Sequence, residues 1–234
     1  PLAVSDKFKG KSKQGLYGDV LMEIDWSVGK IMQTLEQLSL DKNTLVIFTS
    51  DNGPWMNYGN HAGNTGGLRE GKGTSFEGGQ KVPCIMRWPG KIPAGSVCTQ
   101  LAATLDILPT ITHITQATLP KQTIDGVDIS ALLFNPLSKP VRENLYYYYR
   151  QNSLEAVRNQ QFKLVLPHEG RSYEHQLPGK DGYPGTAPEN VPVPMALYDL
   201  RRDPGERYDV QEAYPEIVKE LSILAEKART ALGD

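Results

Sequence analysis

Apolar positions between Gln14 and Leu38 recur at a helical interval: Leu16, Val20, Ile24, Val28, Ile31, Leu35 and Leu38 step by four, four, four, three, four and three. That spacing predicts a long amphipathic helix, closed by the polar turn Asp41 to Asn43. The pattern then changes to an unbroken β-branched run, "TLVIFTS" from Thr44 to Ser50. Such a run predicts a strand covered on both faces, as in parallel sheets. A second apolar run, Val82 to Trp88, predicts the next strand, and "PGKIPAG" the turn after it. Another helix is predicted from about Leu105 to Gln116, with Thr104 as its N-cap and Pro109 in its first turn.

Around Asn135 to Pro140 the composition turns loop-like and the character of the chain changes. "NLYYYYR", "EAVRNQ", "FKLVLP" and "ALYDL" are short β-prone pieces that predict an antiparallel meander, the last followed by the Pro-Gly turn of "RRDPGERYDV". Residues 167 to 194 hold six of the 17 prolines, which predicts a long surface loop. Ile217, Leu221, Leu224, Ala225 and Ala228 line one face of a terminal helix. Helix and covered strand first, short strands afterwards, suggest an α/β unit over residues 1–138 and an antiparallel-sheet and helix subdomain over residues 139–234.

Charge removes one class of partner. With 25 Lys and Arg against 27 Asp and Glu there is no basic surface of the kind that holds nucleic acid. No apolar run approaches the roughly 20 residues of a membrane helix, so no membrane span is expected. The start, "PLAVSDKFKGKSKQG", has neither an initiating Met nor an apolar leader, as if cut from something longer. Cys84 and Cys98 are too far apart for a CxxC site and too few for a disulfide framework. Cys84 is expected as a buried thiol in its strand and Cys98 as an incidental one near a turn, in preference to the alternative of a bridge between them.

The chemistry concentrates between Phe48 and Gly79, "FTSDNGPWMNYGNHAGNTGGLREGKGTSFEGG". Residues 59 to 79 hold 8 of the 22 glycines, so this is an irregular loop with close backbone approaches. Asp51 and Asn52 sit where the strand ends, the edge at which open sheets bind ligands. A carboxylate beside an amide oxygen offers two hard ligands suited to calcium or magnesium; equally, "SDNGP" can be a turn bonded to its own backbone. Lys72, between Gly71 and Gly73, is placed by backbone and can approach an anion such as a sulfate or phosphate group, or stand solvated. The near match to a P-loop from Gly66 to Lys72 fails, because Gly73 replaces the hydroxyl residue and the strand ends too far upstream. His61 is a candidate proton donor or substrate contact or a plain loop residue, whereas His113, His168 and His175 have no partners nearby in sequence and are expected at the surface.

The order of these motifs, strand, "SDNGP", glycine loop, "REGKGTSFEGG", "KVP" and "RWPGKIPAG", closely resembles the type I sulfatases of the arylsulfatase A kind. The resemblance extends to "GLYGDVLMEIDWSVGKIMQTLEQL" and "LYDLRRDPGERYDV" and so covers essentially the whole chain. It implies the C-terminal part of an alkaline-phosphatase-like sandwich, with a small antiparallel sheet and helix at the end. By resemblance Asp51 and Asn52 are two ligands of a calcium ion, magnesium being less fitting, and Lys72 contacts sulfate oxygens near the leaving group.

Members of that family carry a formylglycine nucleophile in a C-x-[PA]-x-R signature, which neither Cys84 nor Cys98 fits. "SKPVR", Ser138 to Arg142, has the form of a serine version. It lies downstream of the metal strand and leads into another strand, so it reads as coincidence. The resemblance therefore places the nucleophile, a pair of metal aspartates and an H-x-P histidine upstream of Pro1, with this chain as the C-terminal half, inert alone and paired with the missing half where that is a separate chain. The implied activity is sulfate-ester hydrolysis on aryl or carbohydrate substrates, in a periplasmic, secreted or lysosomal setting. The alternatives are a phosphatase or phosphonate hydrolase of the same superfamily and a non-catalytic binding or structural chain.

Overall fold

The computed structural model describes residues 2–234. Helix α1 runs Gly15–Gln37, within one residue of the predicted span at each end. Its apolar stripe is not what buries it: Ile24, Ile31 and Leu38 are 41%, 55% and 62% exposed, and only Gly18 and Asp19 are buried. Asp19 anchors the preceding turn by accepting the Gly10 and Ser12 N–H groups at 2.7 and 2.6 Å.

Strand β1 spans Val46–Thr49, the turn of helix α2 Glu77–Gln80, and strand β2 Cys84–Arg87. The expectation of a strand buried in a parallel sheet is corrected here. Among the described residues β1 pairs with β2 alone, antiparallel, with Val46 opposite Arg87 and Thr49 opposite Cys84, and Phe48 is 40% exposed. Cys84 lies in its strand as expected but is exposed and free, as is Cys98, so the buried-thiol expectation is also corrected.

Helix α3, Ile107–Thr115, is entered through a 3-10 turn over Thr104–Asp106, so Thr104 is not its N-cap. Pro109 does fall in the first turn of α3, where no helical N–H is required. Helix α4 follows at Ser130–Phe134. Asp106, fully buried, accepts the Ala103 and Val127 N–H groups at 2.8 and 2.9 Å and holds the buried Arg142 guanidinium, whose Nε lies 3.0 Å from Oδ2. Arg142 thus has a structural partner, while the Ser138 hydroxyl donates to the Ala131 carbonyl at 3.2 Å. Nothing in this arrangement makes Ser138 to Arg142 a nucleophile signature.

The meander forms as expected. Strands β3 Leu145–Tyr149, β4 Ser153–Arg158 and β5 Phe162–Val165 are joined by β8, Ala196–Asp199, in one antiparallel sheet ordered β3-β4-β5-β8. Between β5 and β8 the predicted long surface loop carries a short antiparallel pair, β6 His168–Gly170 against β7 Val191–Val193. His168 is correspondingly not a surface residue: its side chain is 6% exposed and faces Glu155 at 3.3 Å. His113 and His175 are exposed, as expected.

Helix α5, Pro215–Leu232, opens with Pro at its first turn. It buries Leu221, Ala225 and Ala228 against Leu154, Val157, Leu164 and Leu197 on one face of the sheet. The opposite face, Tyr147, Ala156, Val165, Ala196 and Tyr198, receives Phe76 from the glycine-rich loop. That second face is what positions the candidate site.

Candidate functional site

Glycines explain how "SDNG" and "REGKGTSFEGG" come together. Gly53 donates its N–H to the Gly79 carbonyl at 2.9 Å, and Lys72 donates to the Pro54 carbonyl at 2.9 Å. A Cβ on Gly53 would stand 1.8 Å from the Gly78 oxygen, and one on Gly71 would stand 2.7 Å from the Pro54 oxygen. Backbone therefore packs on backbone, which only glycine allows. The segment bearing Lys72 is held against the segment bearing Asp51 and Asn52, and the Lys72 ammonium stands 5.1 Å from the centre of the Trp55 ring.

Asp51 is exposed, with the Ser50 hydroxyl 3.4 Å from Oδ1. Asn52 is half-buried and bonds locally: its Nδ2 donates to the Gly53 carbonyl at 3.2 Å, and its own carbonyl accepts the Ser50 hydroxyl at 3.0 Å. Among the described residues these local bonds engage Asn52 through its Nδ2 and its backbone carbonyl and not through Oδ1. No cluster of three or more His, Cys, Asp or Glu side chains suited to a metal forms among the described residues. Asp51 and Asn52 place a carboxylate and an amide side by side just after β1.

His61 closes a 3-10 stretch, Met56–His61. It lines a cavity of about 300 Å³ together with Leu2, Trp55, Tyr58 and Ala62. Among the described residues its Nδ1 is buried without a hydrogen-bond partner. Trp55 and Tyr58 meet edge to face with ring centres 4.9 Å apart, a favoured aromatic geometry that stiffens this wall. Tyr17 of α1 packs on Gly63, where a Cβ would come within 2.4 Å of its hydroxyl.

The sheet grips the far side of the loop through buried charge that sequence reading missed. Lys163 on β5, fully buried, meets Glu206 Oε1 at 2.9 Å and Glu77 Oε1 at 3.3 Å, and Glu206 Oε2 accepts the Glu77 N–H at 2.6 Å. Burial alone would push the Glu77 carboxyl up, but Lys163 and Arg158 outweigh it and hold it below its ordinary value. For Glu206 burial wins and the carboxyl lies above its ordinary value. Opposite Tyr147 and Tyr148 the strand β4 bulges at Glu155. The bulge re-aims that carboxylate to accept the Ser75 hydroxyl. Arg69 donates to the Tyr198 hydroxyl at 2.9 Å. Only the presence of Glu77 in "TSFEGG" could have hinted at this network, because its partners lie 86 and 129 residues away.

The sequence model described as Sulfatase matches residues 2–117, and that described as the C-terminal region of aryl-sulfatase matches residues 141–234. Bovine arylsulfatase A is 38% identical over 94% of this chain and 44% of its own length. Mouse N-acetylgalactosamine-6-sulfatase is 39% identical over 89% of this chain and 41% of its own length. Among solved structures, the PsFucS1 sulfatase from Pseudoalteromonas sp. superposes with a TM-score of 0.82 at 26% identity, covering 95% of this chain and 44% of that one. A sulfatase of the glycosaminoglycan locus of Bacteroides thetaiotaomicron gives a TM-score of 0.77 at 30% identity, covering 96% of this chain and 47% of that one. The chain spans a little under half the length of the curated relatives it matches. With sulfatase models matched along both parts of the chain and an alkaline-phosphatase-like fold shared with solved sulfatases, the protein belongs to the sulfatase family.

Proposed function

We propose that the full polypeptide containing this chain hydrolyses sulfate esters, and that residues 48–79 form one wall of its site. The observation that carries this reading is the pair of backbone bonds, Gly53 to Gly79 and Lys72 to Pro54, that holds the Lys72 backbone against the segment bearing the two hard oxygen donors. The donor types suit calcium: Asp51 would offer an exposed carboxylate and Asn52 an amide oxygen, hard oxygen ligands of the kind calcium takes. Calcium, when bound, withdraws charge from the sulfuryl oxygens. Lys72 meets the sulfate oxygens beside the leaving group and stabilises the departing alkoxide or phenoxide. His61 is a secondary substrate contact on the adjoining cavity wall. Residues 1–138 supply this wall and residues 139–234 buttress it.

The nucleophile on this reading is a formylglycine outside residues 1–234, together with the remaining calcium ligands, whether in the same polypeptide or a partner chain. Substrates are aryl sulfates or sulfated carbohydrates, as the names of the relatives suggest, and the setting is periplasmic, secreted or lysosomal. No helix among the described residues is long and apolar enough to cross a membrane.

The test compares matched sulfate and phosphate monoesters on the full polypeptide, with and without calcium chelation. Preference for sulfate, loss of rate on chelation, and a roughly 100-fold to 1000-fold lower kcat in Lys72→Ala are expected. Faster turnover of the phosphate ester would move the assignment to a phosphatase.

A further inference from the structure

The backbone of Lys72 is gripped from a segment 101 residues further along the chain. The Tyr173 hydroxyl donates to the Lys72 carbonyl at 2.6 Å, and Arg171 Nη1 donates to the same oxygen at 3.4 Å. Two residues earlier, Glu70 sits at a left-handed φ of +60°, an unfavourable conformation for a non-glycine residue. Its carboxylate is tied to the same segment, accepting the Tyr173 N–H at 2.6 Å and the Ser172 hydroxyl at 3.0 Å. The Tyr173 ring also lies against Gly71, where a Cβ would approach it to 3.4 Å, and Arg171 lies against Gly73, where a Cβ would meet Nη1 at 3.1 Å.

We infer that Tyr173 is a positioning residue for Lys72: with Arg171 it fixes the Lys72 carbonyl and thereby the direction in which the ammonium points. A lysine flanked by two glycines has little side-chain packing to orient its backbone, so an external clamp must do so. Tyr173 is 9% exposed, and burial pushes its hydroxyl above its ordinary value, so the phenol stays protonated and able to donate. The left-handed Glu70 is held by the Ser172 hydroxyl and the Tyr173 N–H, so releasing the Tyr173 hydroxyl frees one side of the clamp while the other remains. The inference rests on the sulfate-ester reading, which gives Lys72 its contact beside the leaving group.

Tyr173→Phe is the decisive variant, because it keeps the ring against Gly71 and the backbone bond to Glu70 and removes the donor to Lys72 together with the long 3.4 Å bond that the same hydroxyl accepts from Arg171. The full polypeptide carrying it is assayed on aryl sulfates of graded leaving-group pKa. A misdirected ammonium hurts poor leaving groups most, so kcat/KM is expected to fall roughly tenfold for the most basic leaving group and little for 4-nitrophenyl sulfate. In a Lys72→Ala background the same change is expected to cost nothing further, since no ammonium remains to be aimed. An equal loss on every ester, or an undiminished loss without Lys72, would show a merely structural role and overturn the inference. Should Tyr173→Phe lower the thermal midpoint, Arg171→Met is read on the same series: a smaller loss graded with leaving group supports the clamp, and a uniform loss overturns it. If Lys72→Ala alone leaves sulfate turnover intact while the enzyme still hydrolyses sulfate esters, the role of Lys72 fails, and the clamp's function with it. If no sulfate ester is turned over, the functional reading itself fails.

Discussion

The Lys163 ammonium lies 2.9 Å from Glu206 Oε1 with both side chains fully buried, and the same ammonium reaches Glu77 in the loop that carries Lys72. One cation thus ties a central strand, the Pro-Gly turn after β8 and the candidate site into a single unit. Two carboxylates surround it, so its removal leaves like charges facing each other without water.

Lys163→Met is therefore expected to cost about 3–5 kcal/mol of unfolding free energy, the range for breaking a buried ion pair from one side. Urea denaturation measures it. Adding Glu77→Gln and Glu206→Gln to the same protein should recover part of the loss, because the uncompensated charges go with the cation. A triple variant weaker than the single one would contradict the electrostatic account.

Stability against pH tests Glu77. Its folded carboxyl lies below the ordinary 4.5, so its contribution is fully present above pH 4.5 and is lost as pH falls through the lower folded value. The stability gap between the unaltered protein and Glu77→Gln is expected to be widest near neutral pH and to close in acid. Glu206 works with the opposite sign, its contribution being present below 4.5 and fading as pH rises through its raised folded value. A gap that widens in acid would mean that burial, not Lys163 and Arg158, dominates at Glu77.

Two glycines separate packing from propensity. Gly53→Ala drives a Cβ to 1.8 Å from the Gly78 oxygen and is expected to lower the thermal midpoint and to weaken calcium-dependent turnover. Gly29, inside α1, has nothing within 4 Å of its Cβ position. Gly29→Ala should stabilise by roughly 0.5–1 kcal/mol, the helix penalty of glycine. Similar effects at both positions would argue against the backbone contact at Gly53.

Arg142 and Ser138 distinguish a structural ion pair from a nucleophile signature. Arg142→Ala strands the fully buried Asp106 and is expected to cost about 3–5 kcal/mol in a denaturation experiment. Ser138→Ala removes one exposed hydrogen bond and should leave sulfate-ester turnover unaltered. Loss of turnover in Ser138→Ala at unchanged stability would revive the serine reading.

Local pattern settled much of the architecture. The 3.6-residue rhythm of α1 and α5, the β-branched and aromatic strands, and the turn at Pro204 and Gly205 are consequences of backbone conformation and side-chain shape within a few residues, and they appear where sequence places them. The glycine density around Lys72 likewise announced close backbone approach, and motif order pointed to the family. What sequence could not show was which partners meet. β1 pairs antiparallel with β2, because strand direction is chosen by the chain's path and not by composition. His168, read as a surface residue, is buried against Glu155 because a strand bulge turns that carboxylate inward. The pairing of Lys163 with Glu77 and Glu206, and of Tyr173 with Lys72, joins residues tens to more than a hundred positions apart. A charged residue carries no mark of its eventual partner: desolvation makes pairing necessary only once packing has buried it, and packing belongs to the tertiary structure.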